Sequence, residues 1–392
     1  MGQIIKQAML IGSSENSLET TEAFAIDCTF EMEALAPSLN FKLPYLLPGQ
    51  KNVINSGVDI TRLKKYDTVK LYFKEFDTDP GDITVDDLEL VFDGYINTIS
   101  LSKTKSDISY SINALGTAGL CNTRTPFYQQ KGDELHNVIR RALEDSELNK
   151  IIIPNFIDAS ISSLWINITG GKSLKEMFDQ VKDKYAVIIT QDGRGRLNIF
   201  TPSFLASANA AESELNTYKW IFDINDGTIF EIDYGDITSN INAVVVTGFP
   251  PSYGIAVDLI AVQNVGGQKR YVGFEKMDLV GVEACEKYAQ DKLLEIERNY
   301  VVSFKTKFNP AFMVGQRFSI IDNDYFTGEE LFFLKKYTFR IDKQDVSCDI
   351  SGFTHSLTVI PERLVISNTG IADLDITGNK EKIENSFFGD FS

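Results

Sequence analysis

A short glycine-rich segment, Gly170-Gly171-Lys172-Ser173, has the composition of a loop that could bind a nucleotide phosphate. A P-loop requires another glycine five residues before its last glycine, and Ile166 occupies that position. Ser173 is followed three residues later by Glu176, a spacing typical of a capping box at the start of a helix. The segment therefore predicts a helix N-terminus and no cofactor site.

The two histidines, His136 and His355, are the only imidazole groups available for zinc binding or acid–base chemistry. They lie on different predicted modules, and neither has a cysteine at the spacing of a zinc site. One histidine per module also disfavours a Ser-His-Asp arrangement. Both histidines are predicted to be structural.

The densest group of carboxylates could suggest a calcium site or a glycosidase pair; it comprises Asp223, Asp226, Glu231, Asp233 and Asp236. Their spacing does not fit a twelve-residue calcium loop. None of them lies in a deep apolar run that would raise its pKa to the range of a catalytic acid. We therefore predict a solvated strand face, with no catalytic, cofactor-binding or metal-binding residues and no enzymatic activity.

The four cysteines, Cys28, Cys121, Cys285 and Cys348, are far apart and form no CxxC motif. Each lies in an apolar or alternating segment, so the sequence predicts reduced thiols in the core. The net charge of −17 argues against a surface that binds nucleic acid, because phosphate binding depends on clustered Lys and Arg. No apolar stretch approaches the roughly 18 residues of a membrane helix, and the N-terminus does not have the pattern of a signal peptide. We expect the chain to be made and folded in the cytoplasm.

The 392 residues exceed the usual size of a single core, so several domains are expected. Alternating apolar and polar residues predict a first all-β domain over 1–125, a small barrel or sandwich. Helical periodicity and a hairpin turn at Asp192-Gly193 predict a small α/β module with a linker over 126–215. Strand periodicity then predicts a second β-domain, formed by 216–250 and 300–366.

Residues 251–299 are predicted to be an inserted element, with a helix over 281–297. The segment 367–392 shows no sustained period and is predicted to be an extended C-terminal arm. Three aromatic residues near its end, Phe387, Phe388 and Phe391, are predicted to dock into a pocket of a partner protein. Folding of these aromatics back onto their own domain is the alternative.

The order of these parts resembles the baseplate central hub proteins of tailed phages and related contractile injection devices. The resemblance extends over roughly residues 1–366. It rests on Phe92-x-Gly94-x-Ile96, the helix at Ser173 with its following hairpin, the strand at 242–248, the helix at 281–297, and the corner that runs from Asn309-Pro310 to Val314-Gly315.

The resemblance implies a β-rich α+β fold with two tube-protein-like β-barrel or sandwich domains, a small α/β module between them and a helix-containing insertion. Three copies would then present six similar modules, which matches a hexameric tail tube to a trimeric spike. The implied partners are the chain itself as a homotrimer, the tail tube protein, the spike protein and other baseplate proteins. DNA is implied only as cargo that passes through the lumen. Because nothing after residue 366 is similar to a spike β-helix or a lysozyme, the spike is expected to be a separate polypeptide.

These implications describe a structural virion protein of the tail baseplate that is assembled in the host cytoplasm and takes part in genome ejection. Part of the negative charge is expected to face the channel, where it would let DNA slide. Two other function classes remain open. A phage-tail enzyme that degrades cell wall or polysaccharide needs a carboxylate pair in a cleft, and a receptor-binding module needs exposed Trp or Tyr platforms.

Overall fold

The computed structural model describes residues 4–13, 16–20, 23–44, 63–103, 108–122, 132–168, 172–207, 213–216, 220–236, 241–249, 252–296, 298–326, 329–342, 345–355 and 359–362. Within these ranges the chain forms 22 β-strands and five α-helices. The predicted fold class, α+β and rich in strands, is confirmed. The helices are α1 (Leu135–Asp145), α2 (Leu174–Tyr185), α3 (Pro202–Ala206), α4 (Leu259–Asn264) and α5 (Val282–Ile296).

The strands contribute to one large sheet and three small ones. In chain order they are β1 (Ile4–Ser13), β2 (Asn16–Thr20), β3 (Phe24–Glu31), β4 (Ser38–Pro44), β5 (Thr68–Phe76), β6 (Glu89–Lys103), β7 (Ile108–Gly116), β8 (Asp133–Glu134), β9 (Ile153–Phe156), β10 (Trp165–Ile166), β11 (Ile188–Gln191), β12 (Arg196–Phe200), β13 (Trp220–Asp223), β14 (Glu231–Asp236), β15 (Ala243–Gly248), β16 (Ser252–Asp258), β17 (Tyr271–Glu275), β18 (Arg298–Thr306), β19 (Arg317–Ile321), β20 (Glu329–Asp342), β21 (Asp345–His355) and β22 (Val359–Glu362).

The large sheet has 13 strands and consists of two halves. The first sheet half contains β1 to β7 in the spatial order β3-β4-β7-β6-β5-β1-β2. The second sheet half contains β13, β14 and β18 to β21 in the order β14-β18-β21-β20-β19-β13. Strict alternation explains the strands: Cys28 and Phe30 of β3 are buried, whereas Asp27 and Thr29 are partly exposed.

The two sheet halves repeat one arrangement. When β3, β4, β7, β6 and β5 are matched to β14, β18, β21, β20 and β19, the spatial order and the order along the chain agree. The halves differ at the next strand, because β1 runs antiparallel to β5 whereas β13 runs parallel to β19. A tandem repeat of one β-unit is therefore the basis of the fold.

Local irregularities also recur in the two halves. The pairing of β6 with β7 has a bulge between Ile96 and Thr98, and that of β20 with β21 has one between Leu334 and Lys336. Two residues before β5 and β19, the backbone is left-handed, with φ of 74° at Tyr66 and 89° at Gly315. Both of these amides donate to the carbonyl just before the bulge, each at 2.8 Å. The repeat thus extends to residue-by-residue register.

A separate core lies in the middle module, where α1 and α2 pack against the three-stranded sheet β11-β12-β9. The predicted capping box at the start of α2 is confirmed, because the Ser173 hydroxyl accepts from the Glu176 amide and the Glu176 carboxylate accepts from the Ser173 amide. The predicted hairpin joins β11 to β12, and the Asp192 carboxylate accepts from the amides of Arg194 and Arg196.

The inserted module consists of the sheet β17-β15-β16-β22 with α5 packed against it. The helix predicted over 281–297 is present as α5. Two strands expected to belong to the second β-domain lie instead in this sheet. The strand β15 is hydrogen-bonded on its two sides to β16 and β17, and β22 pairs with β16. Gly254 allows the close packing of α5, because a Cβ there would lie 2.1 Å from the carbonyl carbon of Cys285.

Candidate assembly surface

The two sheet halves meet where β3 pairs antiparallel with the second part of β20. The register runs from Glu31 opposite Lys336 to Ile26 opposite Ile341. On the polar side of this junction, the hydroxyl oxygens of Thr29 and Thr338 are 2.9 Å apart and share a hydrogen bond. The junction makes the two halves one continuous sheet within a single chain.

Aromatic side chains form the core beneath the junction. The ring of Phe339 stacks on Phe308 with centroids 4.0 Å apart, and Phe308 also contacts Phe73 of the first half at 5.4 Å. Tyr337 stacks on Phe30 across the two strands at 4.8 Å. One hydrophobic cluster therefore includes residues of both halves, and burial of this apolar surface holds the halves together.

The opposite face of the junction carries ion pairs. The guanidinium of Arg340 donates to Asp349 and, at 3.2 Å, to Asp27 of the first half. Lys336 lies 3.8 Å from Glu31. Partial burial lowers the pKa of Arg340, but its hydrogen bonds with Asp349 and Asp27 outweigh that effect and raise this pKa above its ordinary value. These charges are thus mutually neutralised on a partly exposed surface.

This polar face continues beyond the junction in both directions. On β3, β4, β14, β18, β20 and β21, the described charged side chains of this face include seven acids and four bases: Asp27, Glu31, Glu231, Asp233, Asp342, Asp345, Asp349, Lys42, Lys305, Lys336 and Arg340. Residues of β14, β18, β20 and β21 line a groove of about 430 Å³ on it. Acids therefore outnumber bases among the described residues of these strands, and the face is concave where the groove lies in the second half.

The middle module contacts the first sheet half through the hairpin between β11 and β12. The buried amide of Gln191 accepts from the backbone N–H of Ala118 at 2.7 Å and donates to the carbonyl of Asp93 at 2.8 Å. At the tip, a Cβ on Gly193 would lie 2.6 Å from the carbonyl oxygen of Val91, so only glycine permits this approach. These contacts fix the module against the sheet.

A buried carboxylate connects α5 of the inserted module to α3. Asp291 accepts from the backbone N–H of Ser203 at 2.9 Å, and its second oxygen has no hydrogen-bond partner within the described residues. Burial is the main reason that the pKa of Asp291 rises to about 7, and the nearby carboxylate of Asp158 adds to the rise. Lys287 acts in the opposite direction.

The aromatic residues predicted to dock onto a partner, Phe387, Phe388 and Phe391, lie outside the described residues. His136 is partly exposed on α1, and its Nδ1 lies 3.0 Å from the carbonyl oxygen of Ser162. The side chain of His355 is also outside the described part.

The described acids of the carboxylate-rich segment, Asp223, Asp226, Glu231 and Asp233, are exposed or partly exposed, as the strand-face interpretation predicts. The four cysteines are free and buried, which confirms the predicted core thiols, and burial raises the pKa of Cys121 to about 12. Among the described residues, no group of three or more His, Cys, Asp or Glu side chains could hold a metal ion. Likewise, no described helix is long and apolar enough to cross a membrane.

Solved structures share this fold. A tail protein from Neisseria meningitidis MC58 is similar with a TM-score of 0.63 and 14% identity, over 90% of this chain and 96% of that protein. The 43 kDa tail protein of prophage MuSo2 from Shewanella oneidensis gives a TM-score of 0.63 and 14% identity, over 91% and 100%. The chain has the fold of phage tail proteins.

A third structure extends the comparison to secretion systems. An E. coli component of the type VI secretion system, which exhibits structural similarity to the T4 bacteriophage tail proteins gp27 and gp5, is similar with a TM-score of 0.51 and 8% identity, over 91% of this chain and 80% of that one. No family model and no curated protein matches the sequence. The predicted resemblance to baseplate proteins is confirmed at the level of the fold.

Proposed function

We propose that the protein is a baseplate central hub of a phage-like tail, which adapts a hexameric tail tube to a trimeric spike. The observation that carries this proposal is the repeat of one strand arrangement in two sheet halves joined edge to edge. A ring of three such chains contains six equivalent sheet halves, and a closed ring removes the exposed sheet edges that promote aggregation. The fold shared with phage tail proteins supports the same role.

In this proposal the polar face of the large sheet lines a channel through which DNA passes. Two bases on this face stand beside acids: Arg340 lies between Asp27 and Asp349, and Lys336 lies near Glu31. A base that is already paired with a carboxylate is less available to hold a phosphate, so the wall would let the duplex slide. The hub then acts by geometry, as a virion structural protein without a catalytic step.

The first test is the mass and symmetry of the assembly. In native mass spectrometry we expect a species of about 132 kDa, three times the chain mass of 43.9 kDa. Electron microscopy of the same sample should show a threefold particle with a central channel, which binds the tube protein at one end and the spike at the other. A single chain per assembled tail, or a ring of six copies, would overturn the proposal.

The C-terminal arm is proposed to hold a neighbouring protein through Phe387, Phe388 and Phe391. Deletion of residues 380–392 should leave the ring intact and weaken capture of the spike or of other baseplate proteins. Replacement of the three phenylalanines by serine removes the aromatic rings without shortening the chain, so it separates the effect of the rings from that of the deletion. Capture at full strength by both variants would contradict a docking role.

A further inference from the structure

Several strand edges of the large sheet, including those of β2 and β13, have no partner within the described part of the chain, and two of them match the junction between β3 and β20. The second part of β6, residues 97–103, pairs with β7 on one side only, because β5 ends its pairing at Tyr95. The strand β14 pairs only with β18. Each edge presents unpaired backbone donors and acceptors that can extend a sheet.

These two edges correspond to the two strands that form the junction within the chain. The second part of β6 matches the second part of β20, since each follows a bulge at the matching position. The carbonyl just before each bulge accepts from a left-handed residue, Tyr66 or Gly315. The strand β14 matches β3, because each is the outer neighbour of matching strands, β18 and β4. Each chain therefore contains one complete junction, between β3 and β20. It also contains the two strands that could form a second such junction, and these two strands are not paired with each other.

The register of the made junction predicts that of the second. Matching the bulges aligns Leu101 with Phe339, and matching the pairings with β4 and β18 aligns Tyr234 with Cys28. Phe339 lies opposite Cys28 in the made junction. Leu101 of one copy should therefore lie opposite Tyr234 of another, with Ser102 opposite Asp233.

Both edges expose apolar side chains, whereas the core-facing side chain at the corresponding position of β20 in the junction between β3 and β20 is buried. Leu101 is 55% exposed, whereas its counterpart Phe339 is fully buried. On the other edge, Phe230 immediately precedes β14 and is 56% exposed. Tyr325 stacks on Tyr234 at 4.3 Å and is 52% exposed. Pairing of the two edges would bring these side chains together and remove them from water.

We propose that β14 of one copy pairs antiparallel with residues 97–103 of a second copy, in the register of the junction between β3 and β20. This inference rests on the proposed function for the number of copies, but the edges and the register come from the repeat. Each chain supplies one edge of each kind, so the contact is head-to-tail and propagates until a ring closes. In a ring of three copies, six junctions of one geometry would make the sheet continuous.

Disulfide trapping tests the register directly. Co-expressed chains carrying Ser102→Cys or Asp233→Cys should form a linked dimer on mild oxidation, because cross-strand Cβ atoms lie about 4.5–5.5 Å apart. The control pair, Ser100→Cys with Glu231→Cys, is four residues out of register, or about 13 Å, and should not link. The four native thiols are buried. Absence of the Ser102–Asp233 link in chains that do assemble, or equal linking of the control, would overturn the inference.

A second variant tests the edge without a new thiol. Leu101→Lys should move the native mass of the assembly to that of a single chain at a concentration where the unsubstituted chain is assembled. Val280→Lys is the matched control, because Val280 is 69% exposed and belongs to the segment between β17 and α5 rather than to β6 or β14. Circular dichroism checks that both variants fold. Assembly of Leu101→Lys at the unsubstituted level would contradict the pairing.

The outcomes separate this inference from the proposed function. A threefold particle that binds tube and spike but does not form the predicted link retains the hub role and excludes this interface. A correct link in a particle that has another symmetry, or that does not bind the spike, retains the interface and excludes the hub role.

Discussion

The two sheet halves differ most at positions that correspond in register. Phe339 of the second half is buried and stacked on Phe308, whereas its counterpart Leu101 in the first half is largely exposed. The two positions have the same register relative to the neighbouring strand. However, β20 is paired with β3, whereas no described strand pairs with the open side of the second part of β6. The comparison teaches that the partner of a strand, rather than the strand itself, determines whether an apolar side chain contributes to stability.

The largest expected effect is on the free energy of unfolding when this core position is truncated. Phe339→Ala should lower it by about 3–5 kcal/mol, because a buried aromatic is lost and a cavity remains. Leu101→Ala in the unassembled chain should change it by less than about 0.5 kcal/mol, as expected for an exposed position. Urea denaturation of both variants measures the difference. Equal losses would show that the two positions are not in different environments.

The left-handed position before β5 and β19 provides a second comparison. Gly315→Ala should cost about 1–3 kcal/mol, because the substituted residue would retain a positive φ. Its new Cβ would also lie 3.0 Å from the ring of Phe200. At the matching position, Tyr66→Gly relieves backbone strain and loses a ring contact with Tyr95, so a change smaller than about 1 kcal/mol is expected. Thermal or urea unfolding compares the two, and a larger loss for Tyr66→Gly would contradict the shared geometry.

The insertion between β14 and β18 distinguishes the second half further, and its buried Asp291 should make stability depend on pH. The folded-state pKa of about 7 lies above the ordinary value for aspartate, so the folded state binds the proton more tightly. The contribution of Asp291 to stability is therefore fully present below about pH 4 and is lost as the pH rises through about 7.

Between pH 6 and pH 8 we expect the free energy of unfolding to decrease by about 1 kcal/mol on account of Asp291. Asp291→Asn keeps an acceptor for the Ser203 amide and should remove this part of the pH dependence. Unfolding of both proteins at the two pH values measures it, and Asp183→Asn, an exposed carboxylate, is the control. An unchanged pH dependence in Asp291→Asn would assign the effect to other groups.

Local patterns in the sequence were sufficient to predict individual elements. The alternation that contains β3, the capping box at Ser173 and the helix over 281–297 each depend on neighbouring residues, and the structure has all three. The repeat was predicted only through the resemblance to tube proteins, because matching positions hold unlike residues such as Leu101 and Phe339. Pairing between β3 and β20 joins residues about 300 positions apart, and periodicity does not specify which strands meet. For the same reason β15 was assigned to the wrong sheet, and the open edges were not identified.

The smallest expected effect concerns the ion pairs that only the made junction has. Arg340 is partly exposed and contacts Asp27 and Asp349, whereas the matching pair at the open edges is Ser102 and Asp233. Arg340→Gln should lower the free energy of unfolding by about 0.2–1 kcal/mol in low salt, because exposed ion pairs contribute little.

Salt distinguishes this electrostatic loss from a packing loss. At about 1 M salt the Debye length falls to roughly 3 Å, so the difference between Arg340→Gln and the unsubstituted chain should nearly vanish. Lys42→Gln on the same polar face is the control, since no ion pair of Lys42 is present among the described residues, and it should have little effect at either salt concentration. A loss for Arg340→Gln that persists in high salt would mean that its side chain acts through packing across the junction. The ion pairs themselves would then contribute little to joining the two halves, and their absence from the edge of β6 would not weaken its pairing with β14.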